Sequence, residues 1–118
     1  MEWYLFLDDD RFVPFLERFW NQMPALNFDD FFIARSVPEA KQLIEELGWP
    51  AFISFDHDLG QPENGKDFAN WLIAQDLDNQ WMDNLKYGYL VHSQNPVGAE
   101  NIRLLMSQYL SVRTPCTS

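Results

Sequence analysis

The sequence predicts a single α/β domain built on a parallel β-sheet, and three observations support that fold class. The chain has 118 residues, a length that suits one ordinary domain with one core. Apolar residues make up 47% of it and aromatic residues 16%, so burial can offset the conformational entropy lost on folding. Four short apolar runs alternate with amphipathic segments, as in βα repeats joined by right-handed crossovers.

The first βα unit occupies the start of the chain. The apolar run Trp3–Leu7 ends abruptly in the polar segment 8–11, which is typical of a strand buried on both faces. Apolar residues then recur at helical spacing over Phe12–Gln22, and Pro14 is acceptable in the first turn of a helix. We therefore expect the first strand and the first helix in these two stretches.

The second unit carries clear start and stop signals. The run Phe31–Ala34 predicts the second strand. Ser36 is placed to cap the second helix, and Glu39 follows at the spacing of a capping box. That helix is expected to stop at Gly48, because glycine is favoured just past a helix end and Pro50 follows closely.

The third unit begins with an expected strand at Ala51–Phe55, which runs directly into Asp56-His57-Asp58. Apolar residues around 68–73 predict the third helix. The segment 76–84 is polar, and we interpret it as a linker whose acids, Asp76 included, face solvent.

The fourth unit completes the domain. Strand four is expected at Tyr87–Val91 and the last helix at Gly98–Leu110. Residues 111–118 are expected to form a frayed tail. One domain therefore covers residues 1–118, with no internal boundary or repeat.

Charge and composition exclude several classes of partner. The net charge of −10 disfavours a broad nucleic-acid surface, which usually shows clustered Lys and Arg. A phosphate end held locally by an arginine or a metal stays compatible with that charge. Cys116 has no intrachain partner, and the first residues resemble neither a signal peptide nor a membrane span. We expect a cytoplasmic protein that does not bind membranes.

Polar side chains collect where three of the expected strands end. The carboxyl ends of parallel strands lie along one edge of a sheet, and ligands bind there. If strands one, three and four are neighbours, one cluster should form from these residues: Asp8, Asp9, Asp10 and Arg11; Asp56, His57 and Asp58; His92 and Ser93.

Such a cluster suggests metal and acid–base chemistry. Three or more neighbouring carboxylates repel one another unless a divalent cation or protonation compensates the charge. Oxygen ligands alone suit Mg²⁺, whereas recruitment of His57 or His92 favours Mn²⁺ or Zn²⁺. Two histidines beside the acids can also act as general acid and base on a phosphoester. The structural alternative is that His57 caps a turn and His92 satisfies backbone groups at a strand end.

Several segments together resemble one family, the cyclic-phosphate-processing receiver domains. The resemblance covers nearly the whole chain and rests on four segments: Leu7-Asp8-Asp9-x-Arg11 with Pro14; Arg35-Ser36-Val37-x-Glu39-Ala40; Phe55-Asp56-His57-Asp58-Leu59-Gly60; and His92-Ser93-x-Asn95-Pro96-x-Gly98 with Asn101.

The resemblance implies a three-layer, flavodoxin-type, receiver-like fold with strand order 2-1-3-4. It also implies that Asp8 and Asp9 match the metal-binding acids of receivers, Asp56 the phosphoacceptor position and Ser93 the hydroxyl residue after strand four. An ordinary receiver has a fifth strand that ends in a lysine, and this chain shows neither clearly. Phosphorelay signalling is therefore disfavoured.

The resulting hypothesis is a metal-assisted phosphoesterase acting on cyclic phosphates, either 2′,3′-cyclic RNA ends or cyclic nucleotides. The ion, Mg²⁺ or Mn²⁺ with Zn²⁺ as the alternative, is assigned to Asp8, Asp9 and Asp56. Proton transfer is assigned to His57 and His92, supported by Asp56 and Asp58, and phosphate binding to Arg11 and Ser93. The alternative is a non-catalytic pseudo-receiver that binds a nucleotide or a protein partner. Phosphorylation at Asp56 ranks last.

Overall fold

The computed structural model describes residues 2–9, 28–60, 62–93 and 95–113. Within them a four-stranded parallel sheet has the order β2-β1-β3-β4, where the strands are β1 (Tyr4–Leu7), β2 (Phe31–Ala34), β3 (Phe52–Phe55) and β4 (Tyr89–Val91). The predicted fold class and strand order are confirmed, and no fifth strand occurs among the described residues. The first helix, predicted over Phe12–Gln22, lies outside them.

Three α-helices follow the later strands: α1 (Val37–Leu47), α2 (Gly65–Asn79) and α3 (Pro96–Val112). The Ser36 side chain accepts a hydrogen bond from the Glu39 N–H at 3.3 Å, so the predicted N-cap is confirmed. The Glu39 carboxylate accepts the N–H of Arg35 at 2.6 Å, one residue before the position that a capping box would use. The helix ends at Gly48, as expected.

The other two helices also begin at side-chain caps. Asn64 and Asp67 exchange hydrogen bonds at 2.9 and 3.0 Å in a complete capping box. The Asn95 side chain accepts the Gly98 N–H at 3.0 Å and so starts α3. Both caps lie directly after the polar loops of β3 and β4, so these helix starts are fixed close to the strand ends.

One face of the sheet packs on these helices in an apolar core. Its strand members alternate along the strands, as the period of two requires. The core residues from the strands and the three helices are Leu5, Leu7, Ala34, Ile53, Phe55, Val91, Val37, Ala40, Ile44, Phe68, Ala69, Leu72, Ala99, Ile102 and Met106. This packing fixes the strand ends relative to the starts of α2 and α3.

The segment 76–84 is not the solvated linker that its polarity predicted. Helix α2 continues to Asn79, and a 3-10 turn over Trp81–Asn84 buries Trp81. The indole N–H of Trp81 donates to the Leu72 carbonyl at 2.8 Å. The buried side chains of Trp81 and Met82 anchor this segment to the core although most of its residues are polar. The polarity of single residues cannot reveal such burial.

Asp76 was predicted to face solvent, and the structure corrects this as well, because only 1% of it is exposed. Arg113 binds it twice, from Nε to Oδ2 at 2.5 Å and from Nη2 to Oδ1 at 3.0 Å. Tyr109 donates to Oδ2 at 2.5 Å, and the Met82 N–H donates to Oδ1 at 2.8 Å. A buried carboxylate is tolerable when paired and hydrogen-bonded in this way.

The same contacts correct the predicted frayed tail. Helix α3 extends through Val112, and Arg113 also donates to Asp83 Oδ1 at 2.9 Å. The prediction of a frayed tail from residue 111 is therefore wrong for residues 111–113. Residues 114–118 lie outside the described residues. Over the described ranges, no helix combines the length and apolarity needed to cross a bilayer.

Candidate functional site

The sheet brings three of the predicted site residues into one row. Leu7, Phe55 and Val91 are register partners at the ends of their strands. The ladder continues one residue further, because Asp56 N–H donates to the Leu7 carbonyl at 3.0 Å and His92 N–H to the Phe55 carbonyl at 3.1 Å. Asp8, Asp56 and His92 therefore follow neighbouring strands at the same sheet edge, as the sequence predicted.

The carboxylates of Asp8, Asp9 and Asp56 converge at this edge. Each offers an oxygen, and these atoms lie within 4.8 Å of one another. Asp8 is 1% exposed and Asp56 6%, whereas Asp9 is exposed to solvent. Asp9 is thus the solvent-exposed member of the cluster.

His92 is enclosed beneath these acids, with none of its side chain exposed. Its Nε2 lies 3.0 Å from Asp8 Oδ2, and its Nδ1 lies 2.6 Å from the Ser54 hydroxyl oxygen. The ring stacks on Phe6 with a centroid separation of 4.7 Å and an interplanar angle of 2°. Both ring nitrogens and one ring face therefore have partners inside the protein.

His57 follows Asp56 directly in the loop after β3. Its side chain is 17% exposed, and Nδ1 lies 2.7 Å from Asp58 Oδ1. That hydrogen bond from His57 holds the pKa of the Asp58 carboxyl below its ordinary value, with a further contribution from Asn95 Nδ2 at 3.4 Å. Nε2 of His57 has no hydrogen-bond partner among the described residues, so it is the ring nitrogen available to a ligand.

Two glycines make room for this arrangement. A Cβ on Gly98 would lie only 2.5 Å from the His57 ring, so α3 can approach the imidazole only because position 98 lacks a side chain. A Cβ on Gly65 would lie 2.0 Å from the Asp56 carbonyl oxygen, and the Gly65 N–H donates to the His57 carbonyl at 2.8 Å. The first turns of α3 and α2 are thereby packed against the site.

The structure describes some of the remaining predicted residues and not others. Asp58 is 63% exposed, and its Oδ1 lies 2.7 Å from His57 Nδ1. The Ser93 hydroxyl oxygen accepts the Asn95 N–H at 3.0 Å, so it shapes the turn into α3. Arg11 and Asp10 lie outside the described residues. Proton transfer by His57 and His92, and phosphate binding by Arg11 and Ser93, stay predictions.

Sequence reasoning missed Ser54, which is fully buried in β3. The signal that could have identified it is a single hydroxyl inside the apolar run Phe52–Phe55, since a buried polar group requires a hydrogen-bond partner. Sequence reasoning also gave no role to Arg35, whose Nη1 donates to the Asp8 carbonyl oxygen at 3.1 Å.

The donor set fits a hard divalent cation. The three converging groups are carboxylates, and His57 Nδ1 and both nitrogens of His92 are engaged by other side chains. Oxygen ligands of this kind are those that Mg²⁺ and Mn²⁺ prefer, whereas Zn²⁺ more often recruits nitrogen or sulfur. Asp8, Asp9 and Asp56 are thus residues that could hold a divalent cation.

The sequence profile of the cyclic-phosphate processing receiver domain matches residues 3–108. The chain belongs to this family. The match spans all four strands, both histidines and the acid cluster, so the resemblance predicted from the four segments is confirmed. No curated protein sequence matches the chain.

Receiver domains are also among the similar solved structures. The receiver domain of NtrX from Brucella abortus is 14% identical, covers 93% of this chain and 99% of that one, and has a TM-score of 0.46. A two-component response regulator from Legionella pneumophila is 19% identical, with coverage of 95% and 100% and a TM-score of 0.46. At such scores these similarities carry no argument about function, which depends on the site itself.

Proposed function

We propose that this cyclic-phosphate processing receiver domain is a metal-assisted phosphoesterase that hydrolyses a cyclic phosphodiester. The observation that supports it is the convergence of Asp8, Asp9 and Asp56, whose carboxylate oxygens lie within 4.8 Å of one another. The partly exposed His57 directly follows Asp56 in the chain. Carboxylates so close together favour a divalent cation. When bound, Mg²⁺ or Mn²⁺ would neutralise phosphate charge and polarise the phosphoryl oxygen.

The reaction requires one bond to form and one to break. A water oxygen bonds to phosphorus, the bond from phosphorus to one ester oxygen of the ring breaks, and a phosphomonoester results. The attacking water loses a proton and the leaving oxygen gains one, so a single proton carrier near the phosphorus can serve both steps.

His57 is suited to carry that proton. Its Nδ1 is held at 2.7 Å by Asp58, which restrains the ring and leaves Nε2 without a hydrogen-bond partner among the described residues. Asp58 is in turn held by Asn95, whose side chain also caps α3. The imidazole is therefore oriented by two elements of the fold, as a proton-transfer group must be.

The test offers the purified chain 2′,3′-cyclic nucleoside monophosphates and 3′,5′-cyclic nucleotides, each with Mg²⁺, Mn²⁺ or Zn²⁺. Release of the phosphomonoester is followed by chromatography. Turnover should require the metal, and it should fall by about 10²–10⁴-fold in His57→Ala, the range that loss of a positioned acid–base group produces. Asp56→Asn should lower both turnover and metal affinity.

The matched control is Asp78→Asn, which removes the same charge from an exposed position on α2. Its turnover should equal that of the unmodified chain, so a loss confined to the site variants cannot come from net charge. Absence of turnover with every substrate and metal would overturn this function. Turnover that survives His57→Ala would remove His57 from the reaction, and turnover without added metal would overturn metal assistance. Tight nucleotide binding without any turnover would instead favour the non-catalytic binding module.

A further inference from the structure

Three buried side chains form a continuous line from the core of the sheet to the acid cluster. Ser54 lies in β3, His92 follows β4 and Asp8 follows β1. Ser54 Oγ is 2.6 Å from His92 Nδ1, and His92 Nε2 is 3.0 Å from Asp8 Oδ2. All three are at most 1% exposed, so no part of this line meets solvent directly.

We infer that Ser54 and His92 form a positioning brace that fixes the Asp8 carboxylate at the metal site, rather than a second proton-transfer pair. This inference rests on the proposed function, because Asp8 is one of the proposed ligands. It gives His92 a different role from the proton transfer predicted from sequence, and it gives a role to Ser54 that the sequence did not indicate.

Hydrogen-bond donors and acceptors along the line select one tautomer of His92. With the proton on Nε2, the ring donates to Asp8 Oδ2 and Nδ1 accepts from the Ser54 hydroxyl, so every group has a matched partner. With the proton on Nδ1, the Nε2 lone pair would face a carboxylate oxygen at 3.0 Å. Ser54 therefore directs the imidazole to donate toward Asp8.

The ring also cannot turn to serve a substrate. It is stacked on Phe6 at 4.7 Å with the two planes nearly parallel, and its backbone N–H is bonded to the Phe55 carbonyl. Its side chain is fully buried, and among the described residues its Nε2 contacts the acid cluster through Asp8. Outer partners of this kind orient metal ligands, and their loss typically weakens metal binding 10–100-fold.

The decisive variant replaces the two buried polar partners together, as Ser54→Ala with His92→Phe. Phenylalanine can keep the stack on Phe6, and alanine leaves no buried hydroxyl without a partner, so the fold should be retained. Among the described residues, the hydrogen bond left without its donor is the one accepted by Asp8 Oδ2. Mn²⁺ affinity, measured by titration calorimetry on the full chain, should fall about 10–100-fold, while Ser107→Ala, an exposed serine on α3, should leave it unchanged.

Two further variants separate positioning from folding. His92→Gln retains an amide N–H that can donate to Asp8, and it should recover part of the Mn²⁺ affinity lost in the double variant. Ser54→Ala alone should weaken Mn²⁺ binding in the same direction and should allow a second His92 tautomer to appear. If the folded double variant binds Mn²⁺ within twofold of the unmodified chain, the brace does not position Asp8.

A measurement on the metal-free chain tests the brace separately from the proposed function. Long-range ¹H–¹⁵N NMR spectra report which nitrogen of His92 is protonated, and the expected state is Nε2–H. Observation of Nδ1–H would overturn the inference even if the protein binds Mn²⁺ well. Failure of the unmodified chain to bind Mn²⁺ would overturn the proposed metal site, and the NMR result would still show whether His92 braces Asp8.

Discussion

Removal of the Arg113 guanidinium should destabilise the fold far more than its place near the end of the chain suggests. Arg113 makes two hydrogen bonds to Asp76, at 2.5 and 3.0 Å, and a third to Asp83 at 2.9 Å. Only 1% of the Asp76 side chain is exposed. Arg113→Ala leaves that carboxylate buried without its cation, a change that costs about 3–5 kcal/mol in other buried pairs.

The pH dependence of this effect follows from the pKa of Asp76. Burial alone raises this pKa, but hydrogen bonds from Arg113, Tyr109 and the Met82 N–H outweigh burial, so the folded-state pKa lies below the ordinary value. In the unmodified chain the pair therefore stabilises the fold at all pH values above the unfolded pKa, and this contribution is lost as pH falls through the lower folded value. Burial and Asp76 also raise the pKa of Tyr109 to about 12, so its hydroxyl stays a donor over this range.

In Arg113→Ala, burial is no longer offset by the guanidinium, and the Asp76 pKa should rise. The stability difference between the two proteins should then be largest near pH 7.5 and should narrow towards pH 4.5, where the variant's carboxylate takes up a proton. Urea unfolding at both pH values measures the difference. Lys86→Ala, which breaks an exposed pair with Glu2, is the control and should unfold close to the unmodified chain. A loss below about 1 kcal/mol at pH 7.5, the scale of surface pairs, would refute the reasoning.

Two glycine substitutions test how the site is packed. In Gly98→Ala, the new methyl group would lie 2.5 Å from the His57 ring, so the imidazole must move by about 0.9 Å to reach an ordinary contact of 3.4 Å. Turnover should then fall about 100-fold, with little change in melting temperature. The same change in a His57→Ala background should cost nothing further, and an equal loss there would show that Gly98 acts elsewhere. Gly65→Ala places Cβ 2.0 Å from the Asp56 carbonyl oxygen. Chemical unfolding should therefore show a free energy of unfolding lower by about 1–3 kcal/mol. An unchanged free energy of unfolding would mean that α2 can shift freely.

Local sequence patterns predicted most of the fold because strands and helix ends depend on neighbours along the chain. The apolar run Phe31–Ala34 has the bounds of β2, and Ser36 and Gly48 mark the ends of α1. Polar residues after the strands predicted the site, because parallel strands place their carboxyl ends at one edge. Local patterns gave the wrong prediction for residues 76–84, because the burial of the Asp76 carboxylate depends on the guanidinium of Arg113, 37 residues further along the chain.

The sequence by itself determined the βα order, the strand ends and the gathering of Asp8, Asp56 and His92 at one edge, because apolar periodicity and turn residues act over short separations. Only the tertiary structure decided what each group there contacts. His92 is paired with Asp8 across 84 residues and with Ser54 across 38, whereas His57 is held by its neighbour Asp58. Whether a hydrogen bond forms depends on differences of a few tenths of an ångström between donor and acceptor positions. Packing of the whole sheet sets these positions, and spacing along the chain does not reveal them.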